Sequence, residues 1–333
     1  MKILRNIIAP LLIVMVVLLS ATSWAENMIT VTNPGDDEGP LTPFCSSGTL
    51  RCAVVKAVPG DTINFAAGLG TVTLTSGELV IDKDLTISGP GSDNLTIQRS
   101  TAGGTPEFRI FNVTSSTGTI TISGVTVSNG LADGETESLR SGGGINNEGT
   151  LTLDDCVITG NVAKESGGGV ANRLNGSSLT MKNSFVTGNS VATLDRDGWG
   201  GGVYNGSNTM DVTNCTVSNN SVQAGAGHDA YGAGFYNEGS LTIIGSKISG
   251  NHSTGGGDAD GGGGGIFNDN QLTLTTSTVD SNTATGGAGS GPGRGYGGGI
   301  ANGGGDTTLD RSTVSGNFAV GGAGSDSSSG GSG

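Results

Sequence analysis

The chain is short of the side chains from which an ordinary globular core is built. Aromatic residues supply 4% of it and charged residues 13%, which excludes an interior of large rings and leaves room only for a narrow one of Leu, Ile and Val. Basic residues are scarce, 15 Lys and Arg against 29 Asp and Glu. No basic patch interleaved with aromatics occurs, and the acidic balance repels nucleic acid and anionic membrane surfaces. The four Cys and two His are too scattered for a zinc signature. No stretch carries the apolar periodicity of a long helix, so parallel strands joined by helical crossovers are excluded as well.

Glycine is abundant instead, 64 of 333 residues. It does not recur at every third position, which excludes a collagen triple helix. It is concentrated in a phrase that appears six times between residues 142 and 317. Each phrase opens on a Gly cluster, an aliphatic or aromatic residue and an Asn: 142–147, 167–172, 200–205, 232–237, 263–268 and 297–302. Each closes on a gapless pattern: Leu153/Cys156/Ile158/Asn161, Met181/Ser184/Val186/Asn189, Val212/Cys215/Val217/Asn220, Ile243/Ser246/Ile248/Asn251, Leu274/Ser277/Val279/Asn282 and Leu309/Ser312/Val314/Asn317. A repeat of 25 to 34 residues predicts a solenoid. Strands this short pair in parallel when the chain winds as a helix of strands, each stacked ~4.8 Å from its equivalent one coil later.

The expected fold is therefore all-β, a single right-handed parallel β-helix with a short N-terminal capping helix. Residues 1–25 read as a secretory signal peptide: Lys2 and Arg5, an apolar stretch from Ile7 to Leu19, and Ser23-Trp24-Ala25 before a cut at Glu26. Removing it leaves 15 − 2 = 13 basic and 29 acidic residues, a charge of 13 − 29 = −16. Residues 26–60 form a cap of strand, loop and helix, in which Leu50, Ala53, Val54 and Ala57 fall at helical spacing and Pro59-Gly60 stops the run. Residues 61–141 are irregular coils, residues 142–317 the six repeats, and residues 318–333 a Gly/Ser-rich tail with the look of a truncated inter-repeat loop.

The columns assign roles. Leu153 and Ile158 with their equivalents form two apolar ridges. Asn161, Asn189, Asn220, Asn251, Asn282 and Asn317 form a ladder of carboxamides that donate and accept along the axis. Cys156 and Cys215 lie two coils apart, ~9.6 Å, beyond the ~7 Å reach of a disulfide, and are expected to be buried free thiols. An exported chain favours a bridge between Cys45 and Cys52. Insertions of 5, 10, 11, 11 and 14 residues fall at one phase of the repeat, which predicts a single projecting rim carrying His228 and His252.

From residue 29 to 130 the chain resembles the CSLREA-type N-terminal module of secreted bacterial β-helix proteins. The likeness runs through Thr49-Leu50-Arg51, residues 60–65 (Gly-Asp-Thr-Ile-Asn-Phe), residues 85–91 (Leu-Thr-Ile-Ser-Gly-Pro-Gly) and residues 125–130 (Val-Thr-Val-Ser-Asn-Gly). That family places Cys before the Thr/Ser-Leu-Arg step and Glu after it; here Gly48 and Cys52 stand there. The later repeats resemble those of polymorphic outer-membrane proteins and adhesin-like passengers, through Gly-Gly-x-Ile/Val and the four-residue step from Ile158 to Asn161 and its equivalents. The resemblance implies a right-handed parallel β-helix on an exported or surface protein, and leaves activity open because one solenoid hosts many functions.

The leading functional expectation is a non-catalytic, monomeric β-helix for surface display, adhesion or glycan and matrix interaction, without a cofactor or a membrane span in the mature chain. A polysaccharide lyase or glycoside hydrolase is the alternative. It requires converging carboxylates, plus Arg or Lys for a lyase, and the best triplet is Asp154, Asp155 and Lys182, which read first as solvated strand charges. Calcium is a further candidate at Asp195/Asp197 and Asp258/Asp260, since carboxylate oxygens suit that ion, though neither loop supplies a bidentate Glu.

Overall fold

The computed structural model describes residues 27–37, 44–115, 118–206, 208–325 and 333, so the expected leader lies outside the described residues. The described chain winds as one parallel β-helix of about nine turns, bearing out the expected fold. From Leu79 onward each turn contributes three strands to the core, for example Ile145–Asn147, Thr150–Asp154 and Val157–Thr159. Stacked on their equivalents they build an eight-stranded opening sheet, a ten-stranded long sheet and a nine-stranded closing sheet.

The register is the one the columns require. Leu153 pairs with Met181, Met181 with Val212, Val212 with Ile243 and Ile243 with Leu274. These side chains are fully buried, as are Ile158, Val186, Val217, Ile248 and Val279 on the closing sheet and Ile145, Val170, Val203, Phe235 and Ile266 on the opening sheet. Each contributes roughly 1.5–3 kcal/mol through burial. Leu309 and Val314, in the last described coil, are 48% and 43% exposed because no later described coil covers them.

Two Asn ladders line the corners. Along the first, Nδ2 of Asn161, Asn189, Asn220, Asn251 and Asn282 each donates to Oδ1 of the next coil's Asn at 2.9–3.0 Å, ending on Asn317. The same oxygens accept the preceding Asn's backbone N–H. A second ladder, Asn147, Asn172, Asn205, Asn237, Asn268 and Asn302, runs through the openings at 2.7–2.8 Å. The openings need their glycines: Gly142 has φ +68°, and a Cβ there would lie 2.5 Å from the carbonyl oxygen of Ile145.

At the N-terminal end, helix α1 (Leu50–Lys56) closes the interior with buried Leu50, Ala53 and Val54. Thr49 Oγ1 accepts the Cys52 N–H at 3.1 Å and caps the helix. Arg51 reaches Asp36 at 2.7 Å and the carbonyls of Gly77 and Glu78, tying helix, loop and the next coil together. Asp61 takes the backbone N–H groups of Asn27 and Val58. The strand Met28–Val31 pairs with Asp61–Phe65 and is itself the first rung of the long sheet, so the cap segment contributes to the helix it covers. Cys45 and Cys52 are joined by a disulfide, with Cα atoms 5.9 Å apart. Cys156 and Cys215 are free and buried.

The inserted segments are not irregular loops. They leave on strands such as Ser190–Ala192 and Ser221–Gln223, and come back on Gly198–Trp199, Ala230–Tyr231, Gly261–Gly262 and Gly295–Tyr296. These stack into a seven-stranded outgoing sheet and a four-stranded return sheet. A separate apolar cluster, Ala163, Val191, Val222, Ala224, Ala230 and Ala233 among its members, fills the space between them. The result is an ordered flange along one side of the β-helix.

Candidate functional site

The sequence-derived catalytic candidates fall at a corner on the solvent side. Asp154 stands opposite Lys182 in the long sheet and accepts a hydrogen bond from Asn183 Nδ2 at 2.9 Å. Asp155 is exposed and has φ 51°. Its column, Asn183, Asn214, Gly245, Thr276 and Arg311, has φ between 48° and 58° throughout. The backbone turns between the long and closing sheets in the left-handed region, which Asn, Asp and Gly tolerate best. Asp155 is thus accounted for by the turn. Lys182 is exposed, and none of the three lines a principal cleft among the described residues.

The calcium candidates also have structural partners. Asp197 Oδ1 accepts the N–H of Asp229, Asp229 Oδ1 that of Asp260, and Asp260 Oδ1 that of Arg294, each at 2.7–2.8 Å. One carboxylate per coil therefore caps the amide of the next, a column the sequence reading did not connect because Asp229 was not paired with the other two. Asp195 is held by Arg196, whose hydrogen bond lowers its pKa. Asp258 Oδ1 accepts the N–H of Gly291 at 2.8 Å. No group of three or more His, Cys, Asp or Glu is placed to hold a metal ion among the described residues. His228 Nδ1 lies 3.5 Å from Asp197 Oδ1, while His252 stands in the outgoing sheet, where burial lowers its pKa.

The chain's few aromatic residues have a different distribution. The middle, outward position of the opening sheet carries Tyr204, Tyr236 and Phe267 in successive coils. Across from it, the return sheet presents Trp199, Tyr231 and Tyr296. All four tyrosines of the sequence are in this set, and the other tryptophan is Trp24. Tyr204 and Tyr236 stack with ring centroids 5.8 Å apart and planes 8° from parallel, and Tyr236 and Phe267 do so at 5.3 Å and 10°. Tyr231 packs on Phe267 at 4.7 Å, and Trp199 on Tyr236 at 6.3 Å. Gly262 makes room for this, because a Cβ there would meet the Tyr296 ring at 2.8 Å.

Three of the four phenols are tied to an acid. Tyr204 donates to Glu238 at 2.9 Å, Tyr236 to Asp269 at 3.1 Å and Tyr231 to Asp229 at 2.6 Å. Burial is the largest influence raising the pKa of all three, reinforced by the neighbouring carboxylates, so the phenols remain neutral donors. Tyr236 and Phe267 are buried, whereas Trp199, Tyr204, Tyr231 and Tyr296 are half-buried and keep part of their surface in water. The arrangement is a strip along the axis, apolar in its rings and bordered by hydrogen-bond acceptors. Sequence reasoning missed it because the position between the aliphatic residue and the Asn of each opening was not read as a column; Tyr204, Tyr236 and Phe267 there were the available signal.

Among the described residues no helix is long and apolar enough to cross a membrane. Comparison of the chain with protein-family models, with curated proteins and with solved structures finds no match.

Proposed function

We propose that the protein is an exported, non-catalytic β-helix that binds glycan through the flank between its opening and return sheets. The observation that carries this reading is the gathering of Trp199 and all four tyrosines into one partly exposed strip, in a chain only 4% aromatic. Aromatic rings with one apolar side and one polar handle are suited to a partner that is itself apolar on one face and hydroxylated at its edges. Glu238, Asp269 and Asp229 add acceptors for hydroxyl groups. The same carboxylates, together with the net negative charge of the chain, disfavour acidic polymers and point to a neutral glycan. Export rests on the leader pattern of residues 1–25, and adhesion or matrix attachment is the use that binding of this kind would serve.

The test is retention of the full chain on cellulose, chitin and xylan, compared with pectin and alginate. Neutral polymer should retain it, and Trp199→Ala and Tyr204→Ala should each weaken retention while the far-UV circular dichroism stays that of the parent. Retention only on the acidic polymers, or unaltered retention of both variants, would overturn the reading.

A further inference from the structure

In the coils before the strip, the same side of the molecule changes character. A cleft of about 320 Å³ lies between Glu78, Phe108, Arg109, Asp133 and Leu139. Its size is at the lower end of ligand pockets (~300–1,000 Å³), suited to one ring rather than a chain. Arg109 is only 2% exposed. Its Nε lies 3.0 Å from Glu78 Oε2 and its Nη2 donates to the Ser138 carbonyl at 2.7 Å, but Nη1 has no partner among the described residues. A buried donor left unmade costs roughly 1–3 kcal/mol; Nη1 is closed to solvent in the cleft as it stands, so a ligand reaches it only when the strap that Nη2 holds at Ser138 moves aside.

The charge around the cleft selects the ligand class. Glu78 is engaged by Arg109 and by Asn112 Nδ2 at 2.7 Å. Asp133 and Glu107 also line the cleft, so an anion would meet two further carboxylates. A hydroxyl group, by contrast, can accept from Nη1 and donate to a carboxylate. Phe108 and Leu139 supply apolar wall. Leu139, 47% exposed, belongs to a strap closed on itself by the Gly134 N–H donating to the Leu139 carbonyl at 3.2 Å. Glu137–Arg173 at 2.9 Å and Arg140–Glu165 at 2.7 Å pin it to the following coil. Gly134 is needed there, because a Cβ would lie 2.2 Å from Leu139 Cβ.

We propose that this cleft binds a single neutral pyranose unit, with Arg109 Nη1 and the Asp133 carboxylate on its hydroxyls and Leu139 against its ring, the strap shifting to admit it. The choice of ligand class rests on the glycan reading above; the site is separate from the aromatic strip.

The experiment is saturation-transfer NMR on the full chain with a panel of methyl hexopyranosides, with polymer retention measured in parallel. One member of the panel should bind saturably, and Asp133→Asn and Leu139→Ala should each weaken it by about tenfold, near 1.4 kcal/mol. Gly134→Ala, which displaces Leu139, should weaken it too. These variants avoid the buried ion pair, whose loss could unfold the coil. A chain retained by polymer that takes up no glycoside, or variants that bind as the parent does, overturns the cleft and leaves the strip reading standing. A chain that takes up a glycoside through Asp133 and Leu139 but is retained by no polymer upholds the cleft while the strip reading fails.

Discussion

Truncating Asn220 to Ala removes one amide from the middle of the first ladder, and the structure sets the size of the effect. Four side-chain bonds vanish: Nδ2 to Val186 O at 2.9 Å, Nδ2 to Asn251 Oδ1 at 2.9 Å, and the bonds that Oδ1 accepts from Asn189 N and Nδ2, both at 3.0 Å. Their net worth is roughly 0.5–1.5 kcal/mol each, and any of the former partners left buried and unpaired adds about 1–3 kcal/mol. A loss of about 3–5 kcal/mol follows, allowing for local adjustment. Asn317→Ala is the internal control. Its amide makes three such bonds, but in the part-buried last coil, where water can replace them; a loss of about 1–2 kcal/mol is expected. Urea unfolding followed by circular dichroism gives both numbers, provided the slope is unchanged and the transition remains single, since repeat arrays can unfold in parts. Equal losses for the two variants, or a loss below about 1 kcal/mol for Asn220→Ala, would refute the assignment of the ladder as a principal support.

Other outcomes follow from single sites. Thr276 is a β-branched residue at φ 49° in a column otherwise dominated by Asp, Asn and Gly; Thr276→Asn should stabilise the chain by about 1 kcal/mol, seen as a higher urea midpoint. Burial pushes the thiol of Cys156 up to about 12 and that of Cys215 to about 11. Both should be inert to a disulfide reagent in the native chain and react together once urea unfolds it. At the cap, burial raises the pKa of Asp36, but the hydrogen bonds of Arg51, Thr75 and Ser76 and the charge of Arg51 outweigh it and hold the group below its ordinary 3.8. Because the folded value is the lower one, its stabilising contribution is present above pH 3.8 and is lost as the pH falls through the folded value. Thermal melts should therefore separate parent from Asp36→Asn at pH 7 and bring them together in strong acid; a gap that persists there would count against the linkage.

The three sheets around the core were legible because every coil repeats the same chemistry at the same step. Once Leu153, Met181 and Val212 were aligned, stacking followed from geometry alone. The cap helix was legible for a local reason, the spacing of Leu50, Ala53, Val54 and Ala57 before Pro59. The flange was not, because its strands are two or three residues long and include pairs such as Gly261–Gly262 that carry no alternating pattern. They exist because neighbouring coils offer them backbone partners, for instance Gly261 N–H to Arg294 O at 2.9 Å, and stacking of this kind is invisible in any single window of sequence. The second Asn ladder was in view as the last residue of each opening, yet only coordinates show that its amides meet. The aromatic strip joins residues from two sheets, Tyr236 from one and Trp199 from the other, and no one-dimensional period links those positions.

Both ladders have a direction. In every pair the nitrogen belongs to the earlier coil and the oxygen to the later one, from Asn161 to Asn317 and again from Asn147 to Asn302. The amide dipoles consequently add, and the two rows reinforce each other where opposed rows would cancel. Hydrogen bonds in such a file polarise their neighbours, by ~10–30% per bond. The two ladders thus carry an electrical sense along the β-helix, with their positive pole toward the later coils.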